Sequence, residues 1–298
     1  MNTQTRPKTA LTLLALAYTT TASAPVLADN TSGVPIPSEP TFPTGDPRTR
    51  GHAIAKHADA YDSGWIDQYL QARMTLIDAR GQEVVRETRG MTLEGSAGDK
   101  ALVRFMSPAD IRGVAALIHE HPQTADDTWL YLPATRRVRR IAGANRTASY
   151  HGTDFTYEDL SSLIVERYEW RFLRETTDTV DGQEEVVYEL EARPNYEDTG
   201  YSKLVLTVSR DNFRTSHVDF YDKAGEPLKT LIASKWKVYH GRFHRPLKLD
   251  MRNHQTGKRT VIEASSIYLN LSRYPRRDGS ARSNLTDEQF TRRALEDG

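Results

Sequence analysis

The chain has 298 residues, 38% of them hydrophobic and 27% charged, a balance that fits one large or two modest globular domains and excludes disorder throughout. Lys+Arg and Asp+Glu number 40 each, so no global field draws the protein to nucleic acid or an anionic membrane, and an electrostatic partner must meet a local patch. With no cysteine, disulfides, thiolate metal sites, a thiol nucleophile and a lipidated N-terminal cysteine are excluded.

Residues 1–28 carry a basic start (Arg6, Lys8), an apolar stretch from Ala10 to Tyr18 and a small-residue Val26-x-Ala28 pattern, the layout of a Sec-type signal peptide cleaved after Ala28. A cut after Ala24 would leave Pro25 next, which suits signal peptidase poorly. The apolar core is also too short and too rich in threonine to span a bilayer of about 30 Å. Such a leader predicts a soluble periplasmic protein. Residues 29–45 hold four prolines (Pro35, Pro37, Pro40, Pro43) and read as an extended arm or linker. A folded domain is expected over 46–298. It opens with an amphipathic helix from Arg48 to Tyr61, on which Ala53, Ile54, His57, Ala58 and Tyr61 recur at helical spacing, and Gly64 marks its end.

From Gln68 the hydrophobic period switches to two and stays there for almost two hundred residues. Leu70, Ala72, Met74 and Leu76 alternate with mostly polar neighbours. Further alternating runs follow, separated by turn signals such as Gly98-Asp99, Ser107-Pro108, Asp181-Gly182 and Asp211-Asn212. This predicts a mainly β (α+β) fold of about eleven and at most thirteen strands in sequence-local hairpins, curled into one open, strongly curved antiparallel sheet or half-barrel. Thr286 is placed to cap a short helix carrying Phe290 and Leu295.

Common catalytic signatures are missing: no GxGxxG or Walker loop, HExxH helix or GxSxG elbow. His119 and His121, two apart on a strand, offer two imidazoles to a metal ion, or are simply exposed histidines at a strand end. His151-Gly-Thr-Asp154 reads either as a relay feeding Ser149 or Thr153, or as a polar loop in which Gly152 takes a positive φ. Arg136, Arg137, Arg139, Arg140 and Arg146 crowd one short segment. On a period of two, Arg137 and Arg139 share a face with Ile141, and Arg136 and Arg140 share the other with Val138. Such an arm suits a sheet edge, where charge discourages aggregation, or a cavity rim, where guanidinium groups meet an anionic head group or a partner's carboxylates.

Phe105-x-Ser107-Pro108-x-Asp110-x-Arg112-Gly113, Trp129-Leu-Tyr-Leu-Pro133, Arg136-Arg-Val-Arg-Arg-Ile141 and Gly152-x-Asp154-Phe155-x-Tyr157-Glu-Asp-Leu160 follow one another in order. Together they resemble the outer-membrane lipoprotein-sorting protein family, relatives of LolA and LolB. The resemblance implies an open bent sheet with short helices across its concave face. It also implies a periplasmic carrier, not an enzyme, with no cofactor or metal. An apolar cavity would take lipid or lipoprotein acyl chains, often beside an inner-membrane RND-type transporter. On this reading the wall of the cavity is expected from Leu70, Ala72, Met74, Leu76, Trp129, Tyr131, Leu204, Leu206 and Val208. Phe155 and Leu160 would form a lid, and Arg136, Arg137, Arg139 and Arg140 a head-group or partner contact. A non-carrying interaction module of an envelope complex is the alternative.

Overall fold

A computed structural model describes residues 40–276 and 278–297. The leader, 1–28, and residues 29–39 of the Pro-rich arm lie outside the described residues.

The first helix, α1 (Pro47–Asp62), starts where Asp46 turns its carboxylate onto the Arg48 and Thr49 amides, with Pro47 at the first helical position. It ends before Ser63, and Gly64 takes a φ of 100°. Thirteen strands follow, the top of the expected range: β1 (Asp67–Ile77), β2 (Glu83–Leu93), β3 (Lys100–Ser107), β4 (Ala115–His119), β5 (Asp127–Leu132), β6 (Arg137–Ile141), β7 (Tyr168–Val180), β8 (Gln183–Pro194), β9 (Tyr201–Ser209), β10 (Thr215–Asp222), β11 (Pro227–Tyr239), β12 (Phe243–Asn253) and β13 (Arg259–Leu269). The C-terminal segment forms a 3-10 turn, Asp287–Phe290, and a short helix, α2 (Arg292–Glu296). Thr286 and Gln289 close a capping box at its start.

All thirteen strands lie in one antiparallel open sheet, ordered β6-β5-β4-β3-β2-β1-β13-β12-β11-β10-β9-β8-β7. Two meanders, β1 to β6 and β7 to β13, are therefore joined side by side where β1 pairs with β13. This order has a topological consequence. The chain leaves β6 at one edge and must re-enter at β7 on the other, so residues 142–167 cross the whole sheet. They cross its concave face, and their apolar side chains, Tyr150, Phe155, Tyr157, Leu160 and Leu163, join the main core with α1.

Alternation sorts the strands cleanly. Leu70, Ala72 and Met74 of β1, Val103 and Phe105 of β3, and Leu204, Leu206 and Val208 of β9 face that core. Leu102, Ala115, Leu117 and Trp129 face outward and are covered by Phe290 and Leu295 of the C-terminal segment. Arg104 fastens this cover, donating through Nη2 to the carbonyls of Ala294 and Leu295 at 2.8 and 3.0 Å. Among the described residues no helix is long and apolar enough to cross a membrane.

Helix α1 lies directly on the backbone of edge strand β7. A Cβ at Gly51 would stand 2.5 Å from the Phe172 nitrogen and 2.6 Å from the Arg171 carbonyl carbon. Gly51→Ala gains about 1 kcal/mol of helix propensity, but forcing the helix off a backbone costs about 1–3 kcal/mol. A net loss of stability is expected in thermal unfolding, and an unchanged or raised Tm would contradict this packing.

Candidate functional site

The concave face divides in two. The crossing segment occupies one part, packing on Phe105 of β3, Thr260 of β13 and Tyr201 of β9. Between α1 and strands β7 to β12 lies a cavity of about 1240 Å³, counting its mouth. Its walls are mostly apolar: Ala55 and Ala58 of α1, Leu163 and Val165 of the crossing segment, and inward residues such as Leu190, Leu206, Val208, Val218 and Leu231. That composition, mostly apolar with a few polar groups, is the kind found in sites for apolar ligands.

One feature of the wall depends on a broken alternation. In β11 the phase that buries Leu231 and Ala233 would next bury Lys235 and turn Trp236 outward. Instead Lys235 adopts a φ of 57° and stays exposed, a local backbone kink that leaves the β11/β12 register unchanged and brings Trp236 to the cavity. The kink is held from across the sheet. Asp181, at the turn between β7 and β8, accepts the Lys235 and Trp236 amides on its two carboxylate oxygens at 2.8 and 3.0 Å. Strands four apart in the sheet are tied together, and the curl that shapes the cavity is fixed there.

The crossing segment, expected as a lid, is anchored as a plug. Lys229 of β11 and Asp159 form an almost fully buried ion pair at 2.5 Å, with side chains 2% and 1% exposed. Lys229 also donates to the Asp154 carbonyl at 3.0 Å. Asp159 further accepts the Tyr201 hydroxyl and the Thr156 amide, each at 2.6 Å. Glu158 accepts the Tyr196 hydroxyl at 2.6 Å and the Gly200 amide at 2.8 Å. With both carboxylates so engaged, residues 158–160 make a single 3-10 turn and no longer helix. Phe155 and Leu160 are buried in the core beneath.

Around the C-terminal end of α1, several acids are buried together. Burial, then the neighbouring Glu166, Asp99, Asp62 and Glu94, push the Asp59 carboxyl up to about 8. Burial raises Glu94 to about 7 and Glu120 to about 8. Asp126 behaves oppositely: burial alone would raise it, but hydrogen bonds and charge from Arg167, with charge from Arg146, hold it below its ordinary value. The folded state keeps a proton on Asp59 that the unfolded chain releases near the ordinary value of 3.8. Its stabilising effect is therefore full below about pH 4 and lost as pH rises toward about 8. Asp59→Asn cannot ionise, so the difference between its denaturation midpoints at pH 5 and pH 8 should be smaller than for the wild type. An unchanged difference would contradict the burial of this carboxyl.

The expected site residues are thus spread over several environments. Leu206 and Val208 line the cavity. Leu70, Ala72, Met74 and Leu204 are buried in the same core, and Leu76 packs on it partly exposed. Trp129 and Tyr131, expected on the wall, stand on the opposite face under Phe290 and Leu295, because Leu130 and Leu132 take the inward phase of β5. Arg136 sits at the turn before β6 with a φ of 49°, and Arg137, Arg139 and Arg140 are exposed on β6, an edge of the sheet. Arg140 pairs with Asp127 at 2.5 Å. The parity read from sequence holds: Ile141 joins the concave core and Val138 packs with Trp129.

The histidines do not converge. His119 meets the Phe290 carbonyl at 2.7 Å on the outer face, and His121 pairs with Asp127 at 3.1 Å. His151 packs among Phe105, Tyr150 and Tyr157 on the inner face, and Asp154 accepts the Thr260 hydroxyl at 2.8 Å. Gly152 takes the expected positive φ of 79°. Sequence reasoning missed Trp170, Phe213, Arg214, Trp236 and His244, all of which line the cavity. The one usable signal was Lys235, a charge in the apolar phase of β11.

A family model described only as an uncharacterized protein matches residues 97–297. No curated protein matches the chain. Among solved structures, a domain assigned to outer membrane lipoprotein sorting from Vibrio parahaemolyticus superposes with a TM-score of 0.74 at 35% identity, covering 83% of this chain and 98% of its own. A DUF1329 family protein from Desulfovibrio piger gives 0.73 at 28% identity, covering 84% and 99%. A LolA superfamily protein from Nitrosomonas europaea gives 0.59 at 20% identity, over 82% and 98%, and shares the fold. With 35% identity to the Vibrio parahaemolyticus domain over 83% of this chain and 98% of that one, this chain belongs to the outer-membrane lipoprotein-sorting protein family.

Proposed function

We propose that the protein is a periplasmic carrier, not an enzyme, that shelters the acyl chains of a lipid or lipoprotein in the cavity beneath α1 during transfer between membranes. The observation that carries this reading is the apolar cavity itself, set between a helix and six strands. Burying a methylene is worth about 0.8 kcal/mol, so a dozen of them gain on the order of 10 kcal/mol before the costs of binding. No bond chemistry is required. Leu206 and Val208 contact the chain, while Leu70, Ala72, Met74, Leu76, Leu204, Phe155 and Leu160 support the wall from the adjoining core. The leader at 1–28 delivers the protein to the periplasm, where an RND-type inner-membrane transporter is the proposed partner.

The exposed arginines of β6 favour a second role at the edge, contact with a head group or with acidic side chains of that partner. Titration with a fluorescent fatty acid tests the carrier reading: saturable uptake, displaced by unlabelled lipid, is expected. If uptake is absent while a partner is still captured through Arg136, Arg137, Arg139 and Arg140, the protein is a non-carrying interaction module.

A further inference from the structure

The cavity is not apolar throughout. On the side formed by β10, β11 and β12 its lining includes Arg214, Ser216, Trp236 and His244. Three of these hold a shielded donor that meets no hydrogen-bond partner: Nε of Arg214, Oγ of Ser216 and Nε1 of Trp236. A buried, unpaired donor costs about 1–3 kcal/mol, and folded proteins leave few of them. Three around one wall of one cavity point to a missing acceptor.

The surroundings favour that acceptor being an anion. The Arg214 guanidinium lies 5.4 Å over the Trp236 ring, which gathers two of the three donors. Its Nη2 is taken by Glu185 at 2.9 Å, leaving Nε. Among the described residues Asp62 is the only acid in the lining, and it pairs with Arg245 at 2.6 Å. His244 stays uncharged at neutral pH, its imidazole pushed down to about 4 by burial and then by Arg214. The carboxylate that reaches these donors, Glu185, engages Nη2 of Arg214 and leaves Nε, the Ser216 hydroxyl and the Trp236 indole without a partner. Two irregularities place them: the register shift of β10 at Ser216, and the positive φ of Lys235 that turns Trp236 inward.

We infer that this wall binds the carboxylate of a free, single-chain fatty acid through Arg214, Ser216 and Trp236, with the chain lying against Trp170, Leu190, Leu206 and Leu231. The inference rests on the carrier reading and narrows it. An acyl chain in ester or amide linkage brings a carbonyl, whereas a carboxylate brings an ionised acceptor whose hydrogen bonds are roughly twice as strong.

Calorimetric titration of the purified mature protein with laurate and with methyl laurate separates the two, because the chains are identical. Laurate is expected to bind at least about ten-fold more tightly. The shape-preserving pair Ser216→Ala and Trp236→Phe should abolish the preference while leaving affinity for the ester unchanged. Ser216→Ala alone, which deletes one oxygen, should reduce the preference partway and keeps the test open should the double variant not fold. Equal affinity for acid and ester in the wild type overturns the carboxylate site and leaves the carrier reading standing. Survival of the preference in the variants overturns the assignment to these donors. If neither ligand binds, the carrier reading falls with it.

Discussion

Lys229→Met is expected to destabilise the fold by about 3–5 kcal/mol, the cost of leaving a buried charge without its partner. The lysine amine and the Asp159 carboxylate are both shut off from water, and the pair joins β11 to the segment that crosses the sheet. Removing the amine leaves Asp159 to the Tyr201 hydroxyl and Thr156 amide, which solvate a carboxylate only in part. Adding Asp159→Asn removes the stranded charge and should recover part of the loss. Urea unfolding of the single and double variants measures both. A single variant within about 1 kcal/mol of wild type, the range of an exposed pair, would show that the crossing segment is not anchored this way.

The largest functional effect is expected from filling the cavity. Ala233 is buried in its wall, opposite Leu249 in the β11/β12 register, and faces the space rather than the sheet's outer side. Ala233→Trp puts an indole where an acyl chain would lie. Its overpacking cost is about 1–3 kcal/mol, small enough for the fold to persist. The lost volume should weaken fatty-acid uptake by at least about ten-fold, since each displaced methylene forfeits about 0.8 kcal/mol. A folded Ala233→Trp protein that takes up fatty acid as well as wild type would place the ligand elsewhere.

The strands were legible because each keeps one apolar phase over many residues, and α1 because Ala53, Ile54, His57, Ala58 and Tyr61 keep helical spacing ahead of Gly64, so that the helix runs only one residue beyond the expected span at each end. What eluded the sequence was non-local. The facing of Trp129 depends on whether Leu130 or Trp129 takes the inward phase of β5, and alternation leaves both open because both are apolar. The crossing segment looked like a movable lid because its anchor, Lys229, lies seventy residues downstream. A lone lysine in a strand normally signals a solvated face. Trp236 could not be assigned to the cavity without the backbone kink at Lys235, which a carboxylate on a distant hairpin stabilises. The arginines of β6, by denying the strand an apolar face in either phase, narrowed it to a sheet edge or a cavity rim, and the sheet order places it at an edge.

Organic extraction of protein purified from the periplasm, followed by mass spectrometry of the extract and native mass spectrometry of the intact chain, asks whether the cavity carries lipid. Carrier function predicts an acyl-chain species at close to one per protein, lost in Ala233→Trp. Protein that leaves the periplasm empty, and stays empty after incubation with fatty acid and with lipid vesicles, would contradict it.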